Sequence, residues 1–356
     1  TDNMAYTTID DPSVYFQTAL YTGNGGTQSI TNDGNSDLQP DWLWIKERSS
    51  TSGHNVMDST RGVGKHLFPS SNGAEESLNI VSSFNSDGWS TGASNAINQS
   101  SETYVAWQWK ANGGTATATA SESGDNPAYS VQANTDAGFS IVTYTGTGAD
   151  TSTVPHGLGA TPKMIIFKRR DGTTNWMVHH ANLSSATKRL NLNTTNAEGD
   201  ASNFLDDTAP TSSVFTLGFS AAVNADGSPF VAYCFAEKQG YSKIGSYTGN
   251  GNADGPFVYT GFKPAWTMIK RTTDGTESWI VQDNKRSPTN PSDVFLAPNA
   301  SNADSTTTNA HIDYLSNGFK LRHSDTRGNT SGKNYIYMAF AESPFVSSEG
   351  VPTTAR

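Results

Sequence analysis

Apolar and polar positions along the chain fall into three blocks that recur in one order, three times over. The first block is an alternating run that ends in a glycine-rich turn: Tyr21-Thr-Gly-Asn-Gly25, Tyr144-Thr-Gly-Thr-Gly148 and Tyr247-Thr-Gly-Asn-Gly251. The second is a bulky run that closes on lysine: Gln39-Pro-Asp-Trp-Leu-Trp-Ile-Lys46, Thr161-Pro-Lys-Met-Ile-Ile-Phe-Lys168 and Lys263-Pro-Ala-Trp-Thr-Met-Ile-Lys270. The third is an aromatic run: Thr103-Tyr-Val-Ala-Trp-Gln-Trp109, Pro229-Phe-Val-Ala-Tyr-Cys-Phe-Ala-Glu237 and Asn334-Tyr-Ile-Tyr-Met-Ala-Phe-Ala-Glu342. From tyrosine to lysine the separations are 25, 24 and 23 residues, so internal duplication explains the pattern better than chance.

Period-two alternation predicts strands, and side chains that are bulky on both faces predict a strand covered on both sides. Between the blocks, each repeat carries further strand-like pieces: His54 to Asp58, Trp176 to His180 and Trp279 to Asp283, then short apolar runs around Leu67, Leu190 and Leu296. A small-residue-and-acid signature follows at Asn72-Gly-Ala-Glu-Glu76, Asn196-Ala-Glu198 and Asn302-Ala-Asp304. Roughly six or seven strands per hundred residues is the count of a small antiparallel β-sandwich. A three-bladed propeller competes, but its four-stranded blades need only about 40 to 50 residues each. The expected fold is therefore all-β, with three tandem jelly-roll-like sandwich modules at 1–112, 113–240 and 241–356. The small-residue stretch from Asn112 to Asp125 reads as a linker and hinge, whereas Glu237 to Tyr247 leaves little slack between repeats 2 and 3.

Composition agrees: 34% hydrophobic, 16% charged and 10% aromatic residues suit folded β modules with long polar connections better than a disordered chain. The net charge of −10 gives no electrostatic reason to bind nucleic acid. No run reaches the roughly 18 apolar residues of a membrane helix, which predicts no membrane insertion, and no signal peptide pattern opens the chain. Cys234 stands alone, inside an apolar run, and reads as a buried thiol. Whether Thr1 to Asn3 is native sequence stays open.

Candidate chemistry is sparse, and the expectation is that the protein is not an enzyme. His179 and His180 are adjacent on a strand, so one is expected inward and one outward, and they cannot easily share a metal. Carboxylate neighbours Asp10-Asp11, Glu75-Glu76 and Asp206-Asp207 read as solvated surface rather than a glycosidase pair. Calcium is a candidate cofactor for the loops Thr31 to Asp37 and Asn224 to Gly227, which turn chemistry also explains. The repeat-matched residues are Tyr21, Tyr144 and Tyr247; Lys46, Lys168 and Lys270; Trp42 and Trp266; and Glu237 and Glu342. Each lysine reads as a strand end reaching for water, with pairing to Glu237 or Glu342 as the alternative. The tryptophan pairs Trp42/Trp44 and Trp107/Trp109 read as core.

These blocks, with the terminal Pro344-Phe-Val-Ser-Ser-Glu-Gly-Val-Pro-Thr-Thr-Ala-Arg356, resemble a poorly characterised repeat family of virion structural and tail-associated proteins of marine tailed phages. Repeat 2 departs from the pattern, with Lys163-Met164 where the others have Asp41-Trp42 and Ala265-Trp266. The resemblance implies a bacteriophage virion component made in the host cytoplasm and exposed at the particle surface: a tail fibre or receptor-binding protein, or a capsid decoration protein. Its implied partners are other virion proteins, further copies of itself as a homo-oligomer (a trimer by analogy with fibres), and a host surface glycan for attachment. A carbohydrate-binding lectin-like protein is the second reading and a glycan-cleaving enzyme the third.

Overall fold

The computed structural model describes residues 5–306 and 310–354. Thr1 to Asn3 and the terminal Ala355 and Arg356 lie outside the described residues. The chain is almost all β, in several antiparallel sheets.

Each sequence repeat builds the same inner sheet. In repeat 1 the opening strand Phe16–Thr22 pairs with the closing strand Thr103–Trp109, which pairs with the lysine strand Trp42–Glu47, which pairs with His54–Asp58. Repeat 2 runs Phe139–Thr145, Pro229–Phe235, Met164–Arg169 and Met177–His180 in that order, and repeat 3 runs Ser242–Thr248, Asn334–Pro344, Phe262–Arg271 and Ile280–Asp283. Shorter strands make a second, outer sheet in each repeat: Gln28–Ile30, Val81–Phe84 and Trp89–Thr91; Ser152–Pro155 and Val214–Leu217; Phe257–Tyr259, Ile312–Leu315 and Gly318–Leu321.

Alternation along the inner strands sends successive side chains to two different cores. Leu43, Ile45, Met57 and Ala106 pack outward against Ile80, Val81 and Trp89 of the outer sheet of repeat 1, and repeats 2 and 3 each have a matching core of their own. Trp42, Trp44, Trp107 and Trp109 point the other way, into one cluster shared by all three repeats with Ile166, Tyr233, Phe235, Trp266, Met338 and Phe340. At its centre the Trp42 ring lies 4.7 Å from Tyr233 and 4.5 Å from Trp109, and Trp109 meets Trp266 edge-on at 5.5 Å. The tryptophan pairs are core as expected, but the core is communal. All eight tryptophans lie in the interior, and each buries a large apolar surface.

The two-sided cover corrects the histidine expectation. His179 and His180 lie on opposite faces of their strand, but both are buried, because that strand is covered on both sides.

The expected hinge is also replaced by ordered structure. Ala118–Ala120 and Tyr129–Asn134 add two strands to the inner sheet of repeat 2, with Ile141 opposite Gln132 in register. The backbone N–H groups of Ala111, Gly113 and Gly114 all donate to the Asp41 carboxylate, at 2.7, 3.0 and 3.0 Å. Small residues here allow close backbone approach rather than slack.

Candidate functional site

The Tyr-Thr-Gly-x-Gly turns are explained by three buried asparagines that sequence reasoning missed. Asn98, Asn224 and Asn329 precede the closing strands and are fully buried. Asn98 accepts from the Asn24 N–H and donates to the Gly26 carbonyl and to Thr91; Asn329 accepts from the Asn250 N–H and donates to Asn252 and His323 carbonyls; Asn224 accepts from the Thr147 N–H and donates to the Ala149 carbonyl. The motif tyrosines lock the same knots: Tyr21 donates to the Ile97 carbonyl at 2.6 Å, Tyr144 to Val223 at 2.7 Å and Tyr247 to Gly328 at 2.8 Å. Both glycines are required. A Cβ on Gly23 would lie 2.2 Å from the Gln99 carbonyl oxygen, and Gly25 sits at φ 73°. A usable signal was present, an asparagine shortly before each aromatic run, but Asn-rich loops are too common here to single it out.

The lysines behave differently from both expectations. Lys46, Lys168 and Lys270 are fully buried, and none pairs with Glu237 or Glu342. Lys168 Nζ donates to the Asn72 carbonyl of repeat 1 and Lys270 Nζ to the Thr195 carbonyl of repeat 2, each at 3.1 Å, while Lys46 donates to the Glu47 carbonyl. Burial brings all three ammonium groups down to about 8. They end at seams between repeats, so there is no solvent for them to reach.

Those seams follow one rule. The Trp176 indole N–H of repeat 2 donates to the Phe68 carbonyl of repeat 1 at 2.9 Å, and Trp279 of repeat 3 donates to the Asn191 carbonyl of repeat 2 at 3.0 Å. His54, the repeat 1 counterpart, accepts from Trp44 on Nδ1, which leaves Nε2 to donate to the Ala297 carbonyl of repeat 3 at 3.0 Å. In the opposite direction the N–H groups of Glu75, Glu198 and Asp304, the acids of the small-residue signature, donate to the carbonyls of Arg170, Thr272 and Arg48. Each contact joins neighbouring repeats and the last returns to the first, so the ring is closed.

Two seams carry a buried carboxylate–guanidinium network. Asp58 accepts from Arg61 and from the Tyr233 hydroxyl of repeat 2, and Glu75 bridges Arg61 to Arg170 at 2.8 and 2.9 Å. Asp283 likewise accepts from Arg286 and from the Trp107 indole of repeat 1, and Asp304 bridges Arg286 to Arg48. Opposing charges hold Arg61 and Arg286 above the usual guanidinium range against the burial that pulls them down. At the third seam the facing residue is Met338, which has no donor, and repeat 2 carries His180 and Leu183 in place of the aspartate and arginine. Burial lowers His180 to about 3, so it is neutral, and its Nε2 reaches the Tyr337 carbonyl at 3.3 Å. The charge network is replaced as a whole rather than left half-satisfied.

Open space lies along the same seams. Between repeats 1 and 3 a cavity of about 350 Å³ is lined by Thr18, Asp33, Asn284, Lys285 and Glu342. Between repeats 2 and 3 a cavity of about 370 Å³ is lined by Lys163, Asn182, Glu237, Lys243 and Ser246. Glu342 is held by Lys263 and Asn284, and Glu237 by Lys243 and the Ile244 N–H. The corresponding place between repeats 1 and 2 is filled by Gln132, whose amide donates to Ser59 and Thr60 and whose carbonyl accepts from Asn112 and Gly114.

Other residues singled out from sequence are dispersed. Cys234 is buried, and burial pushes its thiol up. Asp33 of the first oxygen-rich loop pairs with Lys285 of repeat 3, and Asn224 of the second is the buried knot residue described above. Asp10 accepts from Ser348, whereas Asp11 caps a turn at Ser13.

A family model described as "Domain of unknown function (DUF7483)" matches residues 11–344. No curated protein and no solved structure matches the chain.

Proposed function

The chain belongs to the DUF7483 family, and from that premise we propose that it is a non-catalytic structural component of a virion, exposed at the particle surface as part of a tail fibre or receptor-binding assembly. One observation carries this reading: the residues repeated three times are engaged in knots, seams and core, so duplication multiplied a framework rather than a reactive centre. The three sandwich-like repeats, bounded near 112 and 240, then act as one threefold body, and one copy can sit on a threefold feature of a particle. Its partners in this reading are other virion proteins and further copies of itself, with a trimer the usual fibre arrangement. A capsid decoration role uses the same surfaces.

The test is imaging of purified particles from the source of this sequence, with the chain located by a specific antibody fragment and its copies counted. Labelling at the tail supports the fibre assignment and labelling on the capsid lattice moves it to decoration. Absence from particles, or turnover of a glycan by the pure protein, ends the proposal.

A carbohydrate-binding role is favoured by Phe257 and Tyr259, alternate residues of one outer strand that expose 45% and 53% of their surface on one side. Glycan-array binding that is lost in Y259A supports this second reading, and binding indifferent to Y259A removes it.

A further inference from the structure

We propose that the outward edge of the opening strand of repeat 3, Ser242–Thr248, is a strand-addition site that takes an extended segment of another polypeptide with an acidic side chain facing Lys163. The template is inside the molecule. In repeat 2 the equivalent strand, Phe139–Thr145, is covered along its whole edge by Tyr129–Asn134 in antiparallel register. Gln132, opposite Ile141, sends its side chain into the seam and satisfies four polar groups there. Among the described residues, repeat 3 has the same inner sheet order and no covering strand.

Register shows what that edge offers. The Ala341 N–H donates to the Tyr241 carbonyl, so alternate residues from Tyr241 onward bond to the closing strand, while Ile244, Ser246 and Thr248 turn their N–H and C=O groups away from it. The Ile244 N–H is held by the Glu237 carboxylate at 2.9 Å, standing in for the backbone carbonyl that a paired strand supplies. Ser246 and Thr248 are exposed. A second cavity of about 280 Å³, lined by Ser246, Thr248, Glu198 and Thr272, continues the first along the same edge. The two together give a groove whose floor is an unpaired strand edge and whose far wall is repeat 2. The opening strand of repeat 1 offers less, since Gln17 is bonded to the Ser13 and Ser36 carbonyls and to the Gly34 N–H along it.

Charge sets the ligand. Where Asp41 gathers N–H donors in the filled seam, the residue at that place in this groove is Lys163. Among the described residues its ammonium has neither an ion pair nor a hydrogen bond, so the side chain standing where Gln132 stands is an acceptor, and a carboxylate satisfies it best. Backbone pairing at Ser246 and Thr248 supplies affinity and the Lys163 contact supplies selectivity.

Selection from a displayed library of random nine-residue peptides on the full chain tests this directly. The expected result is a set of binders with Asp or Glu at one fixed position. K163E and S246P each weaken them about ten-fold or more, and binding slows hydrogen exchange at the Ser246 and Thr248 amides. Ser246 gives no N–H to its own sheet, so the proline leaves the fold intact, and an unchanged melting temperature verifies that. The exchange measurement on the unaltered chain decides the matter if it does not. The proposal is overturned if no selected peptide distinguishes the chain from S246P, if binding protects another segment, or if the two amides become protected with rising protein concentration alone, which assigns the edge to a second copy.

Discussion

Asp58, Arg61 and Tyr233 form a buried unit across the seam between repeats 1 and 2, and single substitutions break it unevenly. D58A leaves the buried Arg61 guanidinium with Glu75 as its one carboxylate partner and takes the acceptor from the Tyr233 hydroxyl, and the expected loss is about 3 kcal/mol of stability by urea denaturation. The triple variant D58H/R61L/Y233M imports the apolar solution used at the third seam and is expected to recover most of that loss. A result in which the triple variant is worse than D58A contradicts the account. The asparagine knots allow a second test: N98A removes the acceptor of the Asn24 N–H and the donor to Gly26 and Thr91, at an expected cost of about 1–3 kcal/mol. The tyrosine and glycines of each knot were legible in sequence because they repeat as a compact motif. Their partner was not, because it enters from 74 to 79 residues away as one asparagine among many.

At the scale of elements, the segment between repeats 1 and 2 separates what composition reveals from what pairing decides. Few bulky residues occur there, which reads as slack, yet backbone groups need only acceptors, and Asp41 and Gln132 supply them. Hydrogen exchange at Val131 and Gln132 is expected to be as slow as in the closing strand Pro229–Phe235, and exchange within seconds contradicts the ordered assignment. Strand positions and their apolar faces were legible throughout, since period-two alternation fixes which side chains share a face. What each face packs against was not, and for this reason the buried lysines and the second buried histidine were misplaced.

For the whole molecule, the shared aromatic centre couples the three repeats. A single calorimetric transition is expected for the intact chain, with no separate melting of a repeat, and residues 1–112 alone are expected to lack cooperative unfolding because Trp42, Trp44, Trp107 and Trp109 lose their cover. Two or three resolved transitions refute the coupling. Acid should also weaken the fold. Burial lowers His66, His179 and His323 to about 4 and His180 to about 3. The unfolded chain binds protons near pH 6.5 while the folded chain does not, so the stability these groups contribute is complete above pH 6.5 and is lost as pH falls toward 4. Denaturation midpoints at pH 7 and 4.5 measure it, and a midpoint that rises on acidification goes against it.

Because every seam runs in one sense and the last meets the first, the number of copies is set by geometry. An extra copy spliced into this gene would have to spread the circle and hollow out its middle, or hang outside with its tryptophans bare. Open solenoids can lengthen by simple reiteration; this architecture stops growing once its third turn bites the tail of the first.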